Sequence, residues 1–233
     1  MNYELCIMNY DPLLDLLFPR TCHICDVPLA AHERFACTNC IANLPRSGFH
    51  RRKLNPMEER FAGIFPFERA TGHFLYNREG PVSTLIQDMK YRKFPAIGNM
   101  LGETVGEELF PTGFFADAEV IIPVPMHRWK QWRRGYNQTH HIAQGVSAAT
   151  GIPVSYTLKA VRSHGTQTAL SREQRLENTS GIFSVKDPDE ITGRHIVLLD
   201  DVCTTGSTLI SAAEAIHKCS PSRLTILTLA VTF

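Results

Sequence analysis

The residues best suited to chemistry follow an apolar run in the segment 195–209. Residues 196–199 predict a buried strand, and two consecutive carboxylates, Asp200 and Asp201, come directly after it. A loop rich in hydroxyl groups then leads into residues 207–216, whose apolar spacing predicts a helix. Free N–H groups at a helix N-terminus suit a phosphate, and a glycine lets the backbone approach the ligand closely. We therefore predict a phosphate site formed by Val202, Cys203, Thr204, Thr205, Gly206, Ser207 and Thr208.

The paired carboxylates next to this loop predict a ligand that carries a ribose 5-phosphate. Asp200 and Asp201 would accept hydrogen bonds from the 2′- and 3′-hydroxyls and help to hold Mg²⁺ through water. The loop contains no lysine, so it differs from the Gly-x-x-x-x-Gly-Lys nucleotide loop. An ordinary turn between strand and helix, with Asp and Ser as helix caps, would explain one carboxylate and one hydroxyl but not the whole run.

Two Cys-x-x-Cys pairs near the N-terminus predict a metal site. Cys22 and Cys25 form the first pair and Cys37 and Cys40 the second, with eleven residues between the pairs. Four thiolates close a tetrahedron around Zn²⁺ and leave no open position, which is typical of a structural site. A redox motif is the alternative, but such a motif normally occurs once, beside a βαβ unit.

A second polar loop, residues 123–138, begins where another predicted strand ends. Its arginines suit a pyrophosphate, and Asn137 can cap the helix that follows. Trp129 and Trp132 are interleaved with the basic residues, so they would either stack single-stranded bases or pack on the core. The residues that we predict for this loop are Pro125, Arg128, Arg133, Arg134, Gly135, Asn137 and Gln138.

Two further polar segments stand out. Residues 161–178 form a long polar stretch between two strands, which indicates either disorder or a lid that excludes water from a reactive ribosyl group. Residues 46–60 are basic, contain Pro56 and directly follow Pro45, so we interpret them as a solvated linker, with contact to a nucleic-acid backbone as the alternative.

The remaining pattern alternates strands and helices from residue 64 onward. Strands are predicted at 70–76, 119–123, 154–158, 196–199 and 224–231, and helices at 82–90, 97–110, 138–149 and 207–216. Strands separated by helices imply right-handed crossovers and a mostly parallel sheet with helices on both faces. The sequence thus predicts an α/β domain.

Composition narrows the class of protein. The 233 residues are 43% hydrophobic, which is typical of a globular protein. Their net charge of +1 is too small to create an overall electrostatic field that would attract nucleic acid. No apolar run is long enough to span a bilayer, and the N-terminus lacks the pattern of a signal peptide. We therefore expect a cytoplasmic protein without membrane insertion, whose cysteines are thiols or metal ligands.

The stretch 200–208 resembles the phosphoribosyl-pyrophosphate (PRPP) loop of type I phosphoribosyltransferases. The complete Arg-Gly-Tyr-Asn-Gln segment at 134–138 and the long polar stretch resemble the ComF family of competence proteins in particular. The resemblance implies a type I phosphoribosyltransferase fold with a small N-terminal Cys₄ zinc-binding module. It implies an N-terminal helix and zinc knuckle over 1–48, a basic linker over 49–62, and a phosphoribosyltransferase-like domain over 63–233 with a mobile hood at 159–182.

The same resemblance implies a function. It implies that residues 123–138 form the pyrophosphate-binding loop and that PRPP is bound together with Mg²⁺. It also makes Lys90 and Tyr91 candidate residues near the binding site. The implied process is DNA uptake in natural competence, with imported single-stranded DNA and uptake proteins such as a helicase as partners. The alternative is a true phosphoribosyltransferase that exchanges pyrophosphate at C1′ for an acceptor. The hood residues that we predict are Thr166, Gln167, Arg172, Arg175 and Asn178.

Overall fold

The computed structural model describes residues 19–126, 132, 134–161 and 181–232. The chain divides after Leu44 into two compact units. Among the described residues, no helix combines the length and the apolar character needed to cross a membrane.

The smaller unit, described over residues 19–44, consists of turns followed by one short helix, α1 (Thr38–Ala42). The Glu33 carboxylate accepts hydrogen bonds from the N–H and the hydroxyl of Thr38 and from the N–H of Ala30, at 2.6, 2.8 and 2.8 Å. The bond from the Thr38 backbone contributes most to lowering the pKa of Glu33, which falls to about 2. The carboxylate therefore ties the loop before α1 to the first turn of that helix.

A parallel sheet forms the centre of the larger unit, which begins at Pro45. The strands formed by the described residues of this unit are β1 (Arg69–Leu75), β2 (Val120–Pro123), β3 (Leu158–Ala160), β4 (Phe183–Val185), β5 (His195–Cys203) and β6 (Arg223–Val231). Four of them form the sheet in the order β1, β6, β5, β2, and every neighbouring pair is parallel. The central strands are apolar because both of their faces are buried. The predicted α/β class with a parallel sheet is confirmed.

The helices of this unit connect and cover the strands. They are α2 (Pro56–Phe61), α3 (Pro81–Tyr91), α4 (Ala96–Leu109), α5 (Gln138–Thr150) and α6 (Ser207–His217), with 3₁₀ turns at Phe49–Arg51, Phe110–Thr112 and Pro188–Glu190. Glycines let α4 and α5 approach each other closely. A Cβ atom on Gly102 would lie 2.1 Å from the carbonyl oxygen of Ile142, and one on Gly145 would lie 2.1 Å from that of Asn99.

The structure differs from the predicted basic linker over residues 49–62. This segment contains a 3₁₀ turn and α2, and Met57 and Phe61 of α2 are fully buried in the core of the larger unit. Asn55 caps α2 by accepting from the N–H groups of Met57 and Glu58, at 2.9 and 3.1 Å. The apolar residues of this segment are too few to show a helical period, so its basic residues dominate the sequence pattern.

The strand predicted at 154–158 also differs from the structure. Val154 forms only a single bridge, to Ile121, and the extended strand β3 begins at Leu158. β3 pairs with β4 in an antiparallel sheet of two strands. These two strands flank the predicted hood, whose residues 162–180 lie outside the described part of the chain.

Candidate functional site

A cavity of about 250 Å³ lies at the C-terminal edge of the sheet, where β2 and β5 end next to each other. Ligands of open α/β sheets bind at this edge. The cavity brings together residues that are far apart in the sequence. The predicted site residues that line it are Lys90, Pro125, Arg134, Asn137, Gln138, Asp200, Asp201, Val202 and Thr208.

The two carboxylates at the end of β5 have different partners. Asp201 forms an ion pair with Lys90, with 2.6 Å between Oδ2 and Nζ, and its Oδ1 accepts from the N–H of Val202 at 2.6 Å. Asp200 accepts from the N–H of Asp201 at 2.8 Å. Burial, followed by the negative charge of Asp201, raises the pKa of the Asp200 carboxyl. A bound cation, or hydroxyl groups that donate to these oxygens, would therefore stabilise the fully ionised pair.

The loop over residues 204–208 leads from β5 into α6. Gly206 has φ +83°, a conformation that favours glycine, and it immediately precedes the helix. The hydroxyls of Thr205 and Ser207 lie 2.7 Å apart, and Thr204 and Thr205 are exposed. The first N–H groups of α6 have no carbonyl partner within the helix, so this loop presents donors and the positive end of a helix dipole.

A second helix begins at the same cavity. Asn137 caps α5 by accepting from the N–H and the hydroxyl of Thr139, at 3.3 and 2.8 Å, and the Thr139 hydroxyl also donates to the carbonyl of Val124 at 2.6 Å. Gln138 is only 1% exposed and lines the cavity, and within the described residues its Nε2 has no hydrogen-bond partner. A buried amide donor without a partner is costly, so a ligand acceptor would satisfy it.

Two basic side chains approach the cavity from the end of α3 and from the segment before α5. Lys90 belongs to the last turn of α3, next to the exposed Tyr91. The Arg134 guanidinium lies 5.0 Å from the centre of the Tyr91 ring, and its Nη2 donates to the Tyr91 hydroxyl at 3.4 Å. The Tyr136 hydroxyl donates to the carbonyl of Met89 and so joins these two segments. Basic side chains placed in this way are chemically suited to a polyanion.

Comparison with known proteins agrees with this geometry. A family model described as the phosphoribosyl transferase domain matches residues 133–231. Competence protein F of Haemophilus influenzae is 34% identical over 152 residues, which cover 63% of this chain and 65%, or just under two thirds, of that relative. The DNA utilization protein YhgH of Salmonella typhimurium is 26% identical over 215 residues, which cover 87% of this chain and 93% of that relative. The chain is similar to proteins of the ComF family.

The fold of this chain is that of a type I phosphoribosyltransferase, as its parallel sheet and the matched domain indicate. Among solved structures, the glutamine PRPP amidotransferase from B. subtilis aligns with 61% of this chain and 30% of its own chain, at 18% identity and a TM-score of 0.43.

The four cysteines of the smaller unit form a cluster that is compatible with zinc. Their sulfur atoms all lie within 4.8 Å of one another, and those of Cys25 and Cys37 are 3.8 Å apart. Tetrahedral zinc with bonds of about 2.3 Å separates its sulfur ligands by about 3.8 Å. Burial acts to raise the pKa of the Cys22 thiol, but N–H groups, led by those of Cys37 and Ile24, outweigh it and lower the pKa to about 6. A lowered pKa favours the thiolate that a metal requires. Cys40 is the fourth member of the cluster.

Several predicted site residues of this chain fall outside the described part. In the second loop these are Arg128, Trp129 and Arg133, whereas Trp132 is described and is 82% exposed. All of the predicted hood residues also lie outside it, namely Thr166, Gln167, Arg172, Arg175 and Asn178. Their roles stay predictions.

One residue at the edge of the site was not predicted. The Arg60 guanidinium, from α2, donates to the carbonyls of Thr204 and Thr232. The sequence offered a signal in Asn55 followed by Pro56, which is typical of a helix start, and two glutamates in the first turn strengthen it. A helix ending at Phe61 would have made Arg60 a candidate for contact with the domain.

Proposed function

We propose that this protein is a member of the ComF family and binds PRPP, or another ligand that ends in ribose 5-phosphate, together with Mg²⁺. We further propose that it does so in the cytoplasm while handling imported single-stranded DNA during natural competence. The names of two relatives, competence protein F and DNA utilization protein, support the second part. A helicase or another DNA-uptake protein would be its protein partner.

The observation that carries the proposal is the convergence of opposite charges on one cavity. Asp200 and Asp201 lie in it beside Lys90, and the 204–208 loop begins next to them. In the bound state we assign the carboxylates to the ribose hydroxyls and the 204–208 loop to the 5′-phosphate. Lys90, Arg134 and the Nε2 of Gln138 would then face the diphosphate.

The donor set of the cavity fits a magnesium ion. Mg²⁺ prefers oxygen ligands, keeps several waters, and is commonly held by one or two carboxylates together with substrate phosphates. Asp200 and Asp201 supply such oxygens, and Asp200 carries no ion pair among the described contacts. The ion would neutralise charge on the diphosphate. In the smaller unit, we propose that Cys22, Cys25, Cys37 and Cys40 hold structural Zn²⁺.

Calorimetric titration of PRPP with Mg²⁺ tests the proposal. The wild-type protein should bind, and a variant with Asp200→Asn and Asp201→Asn should lose binding while keeping its fold. Asp189→Asn, which removes an exposed carboxylate from a 3₁₀ turn, serves as the matched control and should bind like the wild type. Absence of binding by the zinc-loaded wild type would refute the proposed ligand.

Three exposed aromatic residues, close in sequence to the cavity-lining Lys90 and Arg134, support the contact with single-stranded DNA. Tyr91, Phe94 and Trp132 are 64%, 38% and 82% exposed, and Arg134 covers Tyr91. Bases stack on such rings while basic side chains hold the backbone. We expect oligonucleotide binding that weakens steeply as salt rises. Tyr91→Ala should reduce it, and equal binding by this variant would exclude this contact.

A second candidate function is phosphoribosyl transfer itself. Ala160, Ile182 and Phe183 also line the cavity, and their apolar side chains would suit a flat acceptor. In this reaction the bond from C1′ to a pyrophosphate oxygen breaks, the acceptor forms the new bond to C1′, and its proton passes to solvent. Release of pyrophosphate from PRPP, measured against a set of nucleobases, distinguishes an enzyme from a protein that only binds.

A further inference from the structure

We propose that Arg60 is a positioning residue that holds the 204–208 loop in the conformation that binds a phosphate. This inference rests on the proposed ribose 5-phosphate site. Arg60 Nη1 donates to the carbonyl of Thr204 and lies 3.7 Å from the sulfur of Cys203, and Nη2 donates to the carbonyl of Thr232. One guanidinium therefore joins the loop to the end of β5 and to the residue that follows β6.

The bond to Thr204 fixes the direction of a peptide group in the loop. In a trans peptide the C=O and the N–H point in opposite directions, and the described residues contain no cis peptide. Because the Thr204 carbonyl points towards Arg60, the N–H of Thr205 in the same peptide points away from α2. The arginine thus orients a backbone donor of the loop without taking the place of the ligand.

The next residue of α2 supports the loop at a second point. Phe61 is fully buried, and its ring lies against Gly206 so closely that a Cβ atom there would be 2.8 Å from Phe61 Cε1. Gly206, with φ +83°, is the residue that redirects the chain into α6. Two consecutive residues of α2 therefore contact the loop, one through hydrogen bonds and one through packing.

The position of α2 is itself fixed by the sheet. The Asn55 side chain caps α2 and also donates to the carbonyl of Ala70 in β1, at 3.0 Å. Met57 is fully buried, and the hydroxyl of Thr228 in β6 lies 3.9 Å from its sulfur. Since both β1 and β6 hold α2, the guanidinium is placed by the rigid part of the fold, as a precise site requires.

Affinities for two small ligands test this role. Arg60→Gln is compared with Arg69→Gln, a matched control whose Nη1 also donates to a backbone carbonyl, that of Gly113, but from the first residue of β1. We expect Arg60→Gln to weaken ribose 5-phosphate binding about tenfold or more, since bonds that involve a charged group are at stake. Binding of inorganic pyrophosphate, which does not need the 204–208 loop, should be unchanged.

Amide hydrogen exchange without ligand supplies a readout that is independent of binding. Exchange at residues 204–208 should be faster in Arg60→Gln than in the wild type and in Arg69→Gln. Unchanged exchange would overturn the inference, and so would an equal loss of affinity for both ligands. A third outcome separates the two proposals: the wild type binds no ribose 5-phosphate, but amide exchange at residues 204–208 is still faster in Arg60→Gln. This result would refute the proposed function and would still support the positioning of the loop by Arg60.

Discussion

Lys90 and Asp201 form an ion pair in the cavity, so each side chain compensates the charge of the other. Their side chains are 18% and 17% exposed, and their charged atoms are 2.6 Å apart. Charges this far from water are stable when paired, and removing one partner leaves the other uncompensated. Lys90 therefore serves two purposes in the proposed site, because it pairs with the Asp201 carboxylate and places a positive charge where the diphosphate would bind.

Lys90→Gln should weaken binding of PRPP about tenfold or more, which corresponds to a loss of about 1.4 kcal/mol. The cause is the loss of a positive charge from the cavity together with an unpaired Asp201. Titration calorimetry measures the change, and Lys218→Gln, an exposed lysine just after α6, is the control. Unaltered affinity in Lys90→Gln would place Lys90 outside the site.

A second residue-scale prediction concerns Glu108, which stands away from the cavity. The hydrogen bond between its carboxylate and Nε2 of His73, at 2.9 Å, contributes most to lowering the pKa of Glu108. Burial acts to raise this pKa, but the ion pair with Arg46 lowers it further, and the pKa falls to about 2. The ionised Glu108 carboxylate therefore contributes its full stabilisation of the folded state above pH 4.5, the ordinary pKa of the group, and this contribution is lost as the pH falls towards 2. The side chain is 34% exposed, so screening limits the contribution to about 1–2 kcal/mol.

Urea unfolding at a series of pH values checks this prediction. Glu108→Gln should lower the free energy of unfolding near neutral pH and flatten its fall between pH 4.5 and 2, while the exposed neighbour Glu107→Gln should keep the wild-type profile. A Glu108→Gln curve parallel to that of the wild type would show that the carboxylate has no lowered pKa.

Candidate site residues could be predicted from the sequence where the chemistry requires several residues of particular types close together. The two Cys-x-x-Cys pairs and the acidic pair before a hydroxyl-rich loop fall in this class, and the structure brings each set together. Arg60 was not predictable in this way, because an arginine that bonds two backbone carbonyls looks like any solvated arginine in the sequence. Only the tertiary positions of Thr204 and Thr232 give it a role.

At the scale of elements, α4 and α5 depend on glycines at their contact. Gly102→Ala should destabilise the larger unit by about 1–3 kcal/mol, because the added Cβ would lie 2.1 Å from a backbone oxygen of α5, and backbone yields less readily than a side chain. Chemical denaturation measures the loss. Glu103→Ala, at the exposed neighbouring position of α4, should change stability by less than about 0.5 kcal/mol. Similar values for the two variants would contradict close packing of these helices.

Helices and strands could be predicted from the sequence where the periodic pattern of apolar residues extends over many positions. The strands β1, β5 and β6 and the helices α3 to α6 have such runs, and their observed bounds differ from the predicted ones mainly at the ends. α2 was missed because its six residues include only two buried apolar ones, Met57 and Phe61. β3 was misplaced because extended residues before it, such as Val154, pair only through a single bridge.

At the scale of the whole molecule, the chain has two units with different sources of stability. The larger unit has a hydrophobic core around the sheet, whereas the described residues of the smaller unit are mostly exposed or half-buried. Small units of this kind depend on a metal for their fold. We therefore expect the two units to respond differently when metal is removed.

Chelation of zinc, or the double change Cys22→Ser and Cys37→Ser, should abolish protection from hydrogen exchange in residues 19–44. Protection of β5 and β6 should persist, and so should binding of PRPP. Cys219→Ser, a half-buried cysteine after α6, serves as the control and should retain metal and protection. Loss of protection throughout the sheet after chelation would show that the larger unit depends on zinc as well.

The most direct test of the proposed site asks whether the carboxylates recognise a ribose. Affinities of ribose 5-phosphate and 2-deoxyribose 5-phosphate are measured on the wild type and on the variant with Asp200→Asn and Asp201→Asn. We expect the missing 2-hydroxyl to weaken binding clearly in the wild type and much less in the variant, since the hydroxyl and its acceptor form one interaction. An equal difference between the two sugars on both proteins would show that the acidic pair does not bind the sugar hydroxyls.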